Sequence, residues 1–370
     1  MQFIDLHAQQ KRIRDKIEQN IKRVLDHGRY IMGPEIKELE EKLARYAGTR
    51  YAVGVASGTD ALLMLLMCHE IGPGDAVFTT PFTFIATAEV IQLLGATPVF
   101  ADIRPDTFNI DPEKLETVIQ KTAAEGRLKP RGIIPVDLFG QPADYDAIGD
   151  IARKYGLFVV QDAAQSFGAS YKGKKTCSHG DAAATSFFPA KPLGAYGDGG
   201  MVFAHNEETY EKLTSIRVHG KGTDKYDNIR VGLNGRLDTL QAAILLAKLE
   251  IFDEEIELRQ EVARGYSTGL KDFVTVPFVR EGNISVWAQY SILHPRRDAL
   301  IEKLKEKGIP TAIYYPLPLH LQEAFLHLGY QTGDFPVAEK TAGQIFSLPM
   351  HPYLPKEDRD KIVEIIGSES

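Results

Sequence analysis

Cysteine is scarce in this chain. Cys68 and Cys177 are the only two, far apart and in no metal-ligand spacing, so neither a disulfide framework nor a zinc site is expected. Long apolar runs are missing too. The longest, residues 61–68, falls well short of the roughly 20 residues that cross a bilayer. The opening Met1-Gln2-Phe3-Ile4-Asp5-Leu6 soon gives way to Gln9, Gln10, Lys11 and Arg12, unlike a secretion signal. Positive charge is in the minority, 43 Lys and Arg against 50 Asp and Glu for a net of −7. That balance argues against a nucleic-acid or membrane surface. The ten histidines form no H-E-x-x-H pattern, so no metal is expected. No G-x-G-x-x-G follows the first strand-like run, which removes the nicotinamide-binding fingerprint. A cytoplasmic protein that handles small molecules remains.

Hydrophobic residues make up 44% of the chain and charged residues 25%, enough apolar surface for a sizeable core. Ile13, Ile17, Ile21, Val24 and Leu25 recur at helical spacing, with Gly28 placed as a C-terminal cap. A second helix starts at Pro34. Short apolar or β-branched runs follow at 51–55, 76–79, 98–101, 132–136, 157–161, 183–187 and 201–204. Helical patterns at 84–94, 111–121 and 145–155 separate several of them. The alternation predicts an α/β fold, a largely parallel sheet covered by helices on both faces. A long helix over 237–264 closes the large domain, placed at residues 1–250. Residues 251–370 read as a smaller α+β domain, with strands over 283–293 and 311–315 and a helix over 298–307.

In open α/β sheets ligands sit beyond the C-terminal strand ends, so the residues that follow each run carry the chemistry. After 51–55, Ser57-Gly58-Thr59 opens a helix whose free N–H groups and dipole suit a phosphate. An ordinary helix cap at Ser57 or Thr59 is the plainer alternative. After 157–161 comes Asp162, either a cap or the partner of a cationic ligand group. After 183–187, Lys191 stands between prolines in a glycine-rich stretch, where a desolvated lysine can lose its proton and attack a carbonyl. Together these are the parts that hold pyridoxal phosphate. Lys191 would form the Schiff base, Asp162 would keep the pyridine nitrogen protonated, and Ser57, Gly58 and Thr59 would anchor the phosphate. Phe82 would stack on the ring.

The same stretches resemble the sugar aminotransferase (DegT/StrS) family. The likeness is carried by Ser57-Gly58-Thr59-Asp60-Ala61-Leu62, Asp162-Ala163-Ala164-Gln165-Ser166-Phe167-Gly168, the segment 185–200 around Lys191, and Asn234-Gly235-Arg236-Leu237-Asp238. It runs over essentially the whole chain. His27-Gly28-Arg29-Tyr30, Ser285-Val286-Trp287-Ala288-Gln289-Tyr290 and Ser347-Leu348-Pro349-Met350-His351-Pro352 look most like the members that act on UDP-2-acetamido-2-deoxy-3-oxo-glucuronate. Two positions depart from that subgroup: Tyr314 stands where a histidine is usual before Tyr-Pro, and Ala190 where serine is usual before the lysine.

The resemblance implies fold type I, the aspartate-aminotransferase-like fold, and a homodimer with shared active sites. It implies L-glutamate as amino donor, 2-oxoglutarate as its product, and pyridoxamine phosphate as the alternate form of the cofactor. By position it makes Lys191 the catalytic base and Asp162 the pyridinium partner. It sets Gln165 against the ring and puts Ser186, Gly58, Thr59 and Asn234 on the phosphate, Asn234 from the neighbouring subunit. Gly28, Tyr30, Arg236, Tyr314 and Tyr315 fall at the sugar nucleotide. The implied reaction delivers an amino group to a 3-keto nucleotide sugar for surface polysaccharide. The alternative is a dTDP-3-keto-6-deoxyhexose 3-aminotransferase of deoxysugar biosynthesis, and after it a non-catalytic regulatory relative. A sugar dehydratase of the same scaffold would replace Lys191 by histidine.

Overall fold

Helix starts follow from short capping sequences. The computed structural model describes residues 1–224 and 226–368. In it, α1 (Leu6–His27) begins with the Asp5 carboxylate accepting from Ala8 N and ends at Gly28 in a left-handed conformation. Pro34 opens α2 (Pro34–Ala47). Strands and helices then alternate as β1 (Tyr51–Val55), α3 (Gly58–Cys68), β2 (Asp75–Thr79), α4 (Ala86–Leu93), β3 (Thr97–Phe100), α5 (Pro112–Glu125), β4 (Lys129–Ile133), α6 (Tyr145–Tyr155) and β5 (Phe158–Asp162). The pair β6 (Ser170–Tyr171) and β7 (Lys174–Lys175) precedes β8 (Ala182–Ser186), β9 (Gly200–Ala204), α7 (Glu207–Ile216) and α8 (Thr239–Leu249). The C-terminal part holds α9 (Phe252–Leu270), β10 (Asn283–Ile284), β11 (Tyr290–Leu293), α10 (Arg297–Glu306), α11 (Pro336–Gln344), β12 (Ile345–Leu348) and α12 (Lys356–Gly367). No described helix is long and apolar enough to cross a membrane.

Seven strands make the main sheet in the order β1-β9-β8-β5-β4-β2-β3. All run parallel except β9, which is antiparallel to both its neighbours. The two-residue alternation of strands sends side chains to opposite cores. Ala52, Ala183, Met201 and Phe203 pack with α2 and α8, whereas Val53, Val55, Ala182, Ala184 and Val202 pack with α3. The C-terminal ends of β1, β5 and β8 therefore share one edge. That edge is where the sequence places Ser57, Asp162 and Lys191.

Three expectations change. The stretch 237–264 is two helices, because Ile251 leaves the helical conformation between α8 and α9. No Gly or Pro marks the break, but Asp253, Glu254 and Glu255 crowd the first turn of α9, where the helix dipole favours acids. Residues 283–293 are also divided. Trp287 adopts a positive φ of 52°, so Asn283 and Ile284 pair with β6 while β11 pairs with β12. Residues 311–315 are not a strand, and only Ala312 makes a bridge, to Ser347. They run instead to the site described next. A further core of Tyr266, Tyr290, Leu304, Phe346 and Ile362 organises the C-terminal part. The helix α9 spans both regions, with Phe252 and Ile256 packed in the core under the sheet.

Candidate active site

A cavity of about 420 Å³ opens beyond the strand ends, with Ser57, Gly58, Thr59, Asp162, Gln165, Ser186 and Lys191 in its lining. The volume falls in the range of small-molecule sites. At one end Ser57 Oγ accepts from Asp60 N at 3.0 Å and caps α3, which leaves the first N–H groups of that helix as an anion cradle. The cradle is tight. A Cβ on Gly58 would stand 2.7 Å from Ser186 Cβ, and one on Gly200 would collide with the Ser57 carbonyl. Substituting Gly58 with alanine is expected to wedge α3 away from β8. Titration of the cofactor-free variant with pyridoxal phosphate should give a Kd at least ~10-fold higher, about 1.4 kcal/mol. An unchanged Kd would show that the phosphate sits elsewhere.

At the other end Asp162 closes β5, buried to 4% exposure. Thr87 Oγ1 donates to its Oδ2 at 2.9 Å and Ala164 N to its Oδ1 at 3.1 Å. Burial still holds its pKa above the ordinary carboxylate value, against those two hydrogen bonds and the charge of Lys191. The backbone beneath is fixed by Asp137, whose N donates to the Asp162 carbonyl at 3.0 Å. Asp137 accepts from Tyr145 Oη, Gln161 Nε2, Ser166 Oγ and Ala143 N.

Lys191 lies in a tight loop after β8. Its N donates to Phe188 O at 2.8 Å, and Ala195 N reaches back to Phe187 O at 2.7 Å. A side chain at Gly194 would strike the Pro189 carbonyl. Burial depresses the pKa of the lysine, with Asp162 acting in the opposite direction. The amine is thereby more available as nucleophile and base. Gln165 is pinned between Phe139 N, which donates to its Oε1 at 2.8 Å, and Tyr315 Oη, which accepts from its Nε2 at 3.1 Å. Burial raises the pKa of Tyr315 and keeps it a neutral phenol.

Phe82 does not line the cavity. It is fully buried, edge-on to Tyr315 at 6.0 Å. Phe84, 55% exposed, lines the cavity instead. Two phenylalanines stand two residues apart after β2, one turned inward and one toward the cavity, and the sequence does not say which. Tyr314 and Tyr315 do line it, as does Ala190, so both departures from the uronate-type pattern face the same space.

Gly28, Tyr30, Asn234 and Arg236 do not join this cavity within one chain. They lie around a segment beside β1, held by a Val55–Arg236 bridge, an Ile31–Asp238 bridge and Thr239 N donating to Tyr30 O at 2.9 Å. Tyr30 and Ile31 are exposed there, and Arg236 Nε is buried without a partner. Lining residues that sequence reasoning missed include Ile4, Thr83, Thr87 and Gln289. Gln289 stands in the 285–290 stretch that carries the family likeness, which gave it no role, and Thr83 and Thr87 stand in no motif.

A cofactor with a phosphate at one end and a basic ring nitrogen at the other matches this arrangement. The helix N-terminus suits the first, a buried carboxylate short of a cation suits the second, and a lysine whose pKa burial lowers stands in the lining with them. Fold and site together define a pyridoxal-phosphate enzyme of fold type I, with pyridoxamine phosphate as the alternate form of the cofactor. The chain belongs to the DegT/DnrJ/EryC1/StrS aminotransferase family, whose model matches residues 11–367.

Among its relatives is the UDP-2-acetamido-2-deoxy-3-oxo-D-glucuronate aminotransferase of Pseudomonas aeruginosa, 52% identical over 355 residues, 96% of each chain. A solved DegT DnrJ EryC1 StrS aminotransferase from Brucella abortus is 51% identical and superposes with a TM-score of 0.98 over 100% of this chain and 99% of that one. DesV of S. venezuelae is 36% identical, with a TM-score of 0.95 over 100% of this chain and 98% of that one.

Proposed function

We propose that the protein transfers the amino group of L-glutamate to the 3-keto carbon of UDP-2-acetamido-2-deoxy-3-oxo-glucuronate, a cytoplasmic step toward surface polysaccharide. The observation that carries the chemistry is Lys191 lining one cavity with Asp162, its pKa held below the ordinary lysine value by burial. The relative from P. aeruginosa supports the choice of sugar.

Pyridoxal phosphate, when bound, supplies a ring that takes up the electron pair left on an amino acid's α-carbon and carries the amino group between substrates. Lys191 Nζ takes the proton from the α-carbon of glutamate in the first half of the reaction and delivers a proton to C3 of the sugar in the second. Asp162 would hold a positive charge on the ring nitrogen of the bound cofactor. Thr87 and Ala164 N aim its two oxygens, and Gln165, fixed by Phe139 N and Tyr315, would lie against the ring. Ser57, Gly58, Thr59 and Ser186 would hold the phosphate, and Phe84, which lines the cavity, would take the stacking place expected of Phe82.

A homodimer completes the site in this reading. Gly28, Tyr30, Asn234 and Arg236 stand outside their own chain's cavity, and a second copy would bring them to it. There the Arg236 fork would meet an anionic group of the nucleotide sugar bidentately. Both cysteines are unpaired, which fits a reducing compartment.

The test is the reverse half-reaction. Cofactor-loaded protein is mixed with UDP-2-acetamido-3-amino-glucuronate, with a dTDP-3-amino-6-deoxyhexose as control, and the visible absorbance of the cofactor is followed. Rapid loss of that absorbance with the uronate alone is expected. Response to the deoxyhexose alone would move the enzyme to deoxysugar biosynthesis and make Tyr314 the deciding residue.

A further inference from the structure

Behind the site lies a second buried carboxylate, which does not line the cavity. Asp137 has no exposed surface, and the four groups that donate to it are all neutral. Ala143 N and Tyr145 Oη reach its Oδ1 at 2.9 and 2.6 Å. Gln161 Nε2 and Ser166 Oγ reach its Oδ2 at 2.7 Å each. Burying a carboxylate with no cation beside it is costly, and burial raises its pKa to about 6 against the pull of those four hydrogen bonds. An apolar side chain would avoid that cost, so the carboxylate points to a task of position.

Its two oxygens hold different parts of the chain. Oδ1 holds the start of α6, of which Tyr145 is the first residue. Oδ2 holds Gln161 and Ser166, the residues immediately before Asp162 and immediately after Gln165. The segment 162–165 is thus gripped at both ends by one atom. Gln161 cannot turn its amide around, because its Oε1 accepts from Cys177 N at 2.9 Å and commits Nε2 to the carboxylate. The backbone beside Asp137 grips the same segment. Asp137 N donates to Asp162 O at 3.0 Å, and Phe139 N to Gln165 Oε1 at 2.8 Å. Phe139 makes that contact from a positive φ of 59°, a conformation that an aromatic residue keeps only where its surroundings enforce it.

We propose that Asp137 is a positioning residue for the cofactor: through residues 161 and 166 its Oδ2 holds Asp162 at the ring nitrogen and Gln165 against the ring. The proposal rests on the cofactor contacts assigned above. A misplacement of about 1 Å by a residue away from the chemistry can cost roughly 10²-fold in rate, and supporting residues of this kind set how precisely a site is held.

The two oxygens supply the test. Ser166→Ala and Tyr145→Phe each remove one hydroxyl donor from the same carboxylate, the first freeing the segment 162–165 and the second freeing α6. Both variants should melt a few degrees below wild type, by similar amounts. Cofactor-free protein is titrated with pyridoxal phosphate, and the two half-reactions of the loaded protein are followed by cofactor absorbance. Ser166→Ala should raise the cofactor Kd at least ~5-fold and lower the limiting rates of both half-reactions ~10-fold or more, with half-saturation by glutamate within ~2-fold. Tyr145→Phe should stay within ~2-fold of wild type in every one of these. Asp137→Asn, which cannot accept from all four donors, should lose more than Ser166→Ala; a folded asparagine variant with wild-type Kd and rates overturns the proposal. Where that variant does not fold, the hydroxyl pair decides. Equal changes in the pair, large or absent, or a larger change in Tyr145→Phe, would show a carboxylate that only supports the fold and would overturn the proposal too. A wild type that takes up no pyridoxal phosphate overturns the cofactor reading itself, and the role of Asp137 with it.

Discussion

Replacing Lys191 with alanine is expected to cut transamination by ~10⁴-fold or more while leaving the fold intact, since the lysine serves both as nucleophile and as proton carrier. Its neighbours stay in place without it. The loop is closed by backbone bonds from Lys191 N to Phe188 O and from Ala195 N to Phe187 O, neither of which needs the side chain. Lys191→Arg separates charge from basicity. The guanidinium stays protonated at any working pH, so it cannot accept the α-proton. The arginine variant should therefore be as slow as the alanine variant. Both half-reactions, measured alone, should fall together, because the same amine serves each. Far-ultraviolet dichroism and thermal melting confirm folding. Residual turnover within ~100-fold of wild type would place the proton carrier elsewhere, since a single positioned acid–base group accounts for 10²–10⁴.

Asp162→Asn should slow the enzyme by ~10²–10³-fold, the scale for losing one preorganised electrostatic partner. In the cofactor-free protein the same substitution should raise the melting temperature. The reason lies in the sign of the shift. Burial lifts the carboxyl pKa above its unfolded value, so the native state holds this proton more tightly than the unfolded chain does. That contribution is complete below the unfolded pKa and is lost as pH rises through the folded one. At neutral pH the buried carboxylate is therefore a burden that cofactor binding relieves. An asparagine keeps hydrogen-bond partners for Thr87 and Ala164 N and carries no such dependence. The gap between variant and wild type should widen from acid to neutral pH and close when cofactor is added to wild type. A variant that melts below wild type at every pH would mean that the carboxylate is net stabilising without its cationic partner.

The parts of this molecule most legible in sequence are those where local chemistry decides conformation. Gly28, Pro34 and Asp111 mark helix ends by their own backbone or side-chain geometry, and each does so in the structure. The apolar runs between 51 and 204 become strands because each is short and is followed by turn or helix residues. Ser57, Asp162 and Lys191 were readable as a set because a strand end fixes where the next residues must go. Features decided by distant contacts were not readable. Trp287 takes its positive φ against Gly140, far away in sequence. The choice between Phe82 and Phe84 depends on the core formed with Tyr315 and α11. The break at Ile251 was hidden because apolar periodicity continues on both sides of it.

Ile4 lines the cavity, and Phe3 O accepts from Met350 N at 3.1 Å. The cavity is thus walled by residues far apart in the sequence, Ile4 on one side and Gln289, Tyr314 and Tyr315 on the other. On the ribosome the strand ends that carry Ser57, Asp162 and Lys191 emerge well before Gln289, Tyr314 and Tyr315. A nascent chain at that point can form the phosphate cradle without the enclosure. Full enclosure of the cavity therefore waits on residues translated long after the cradle.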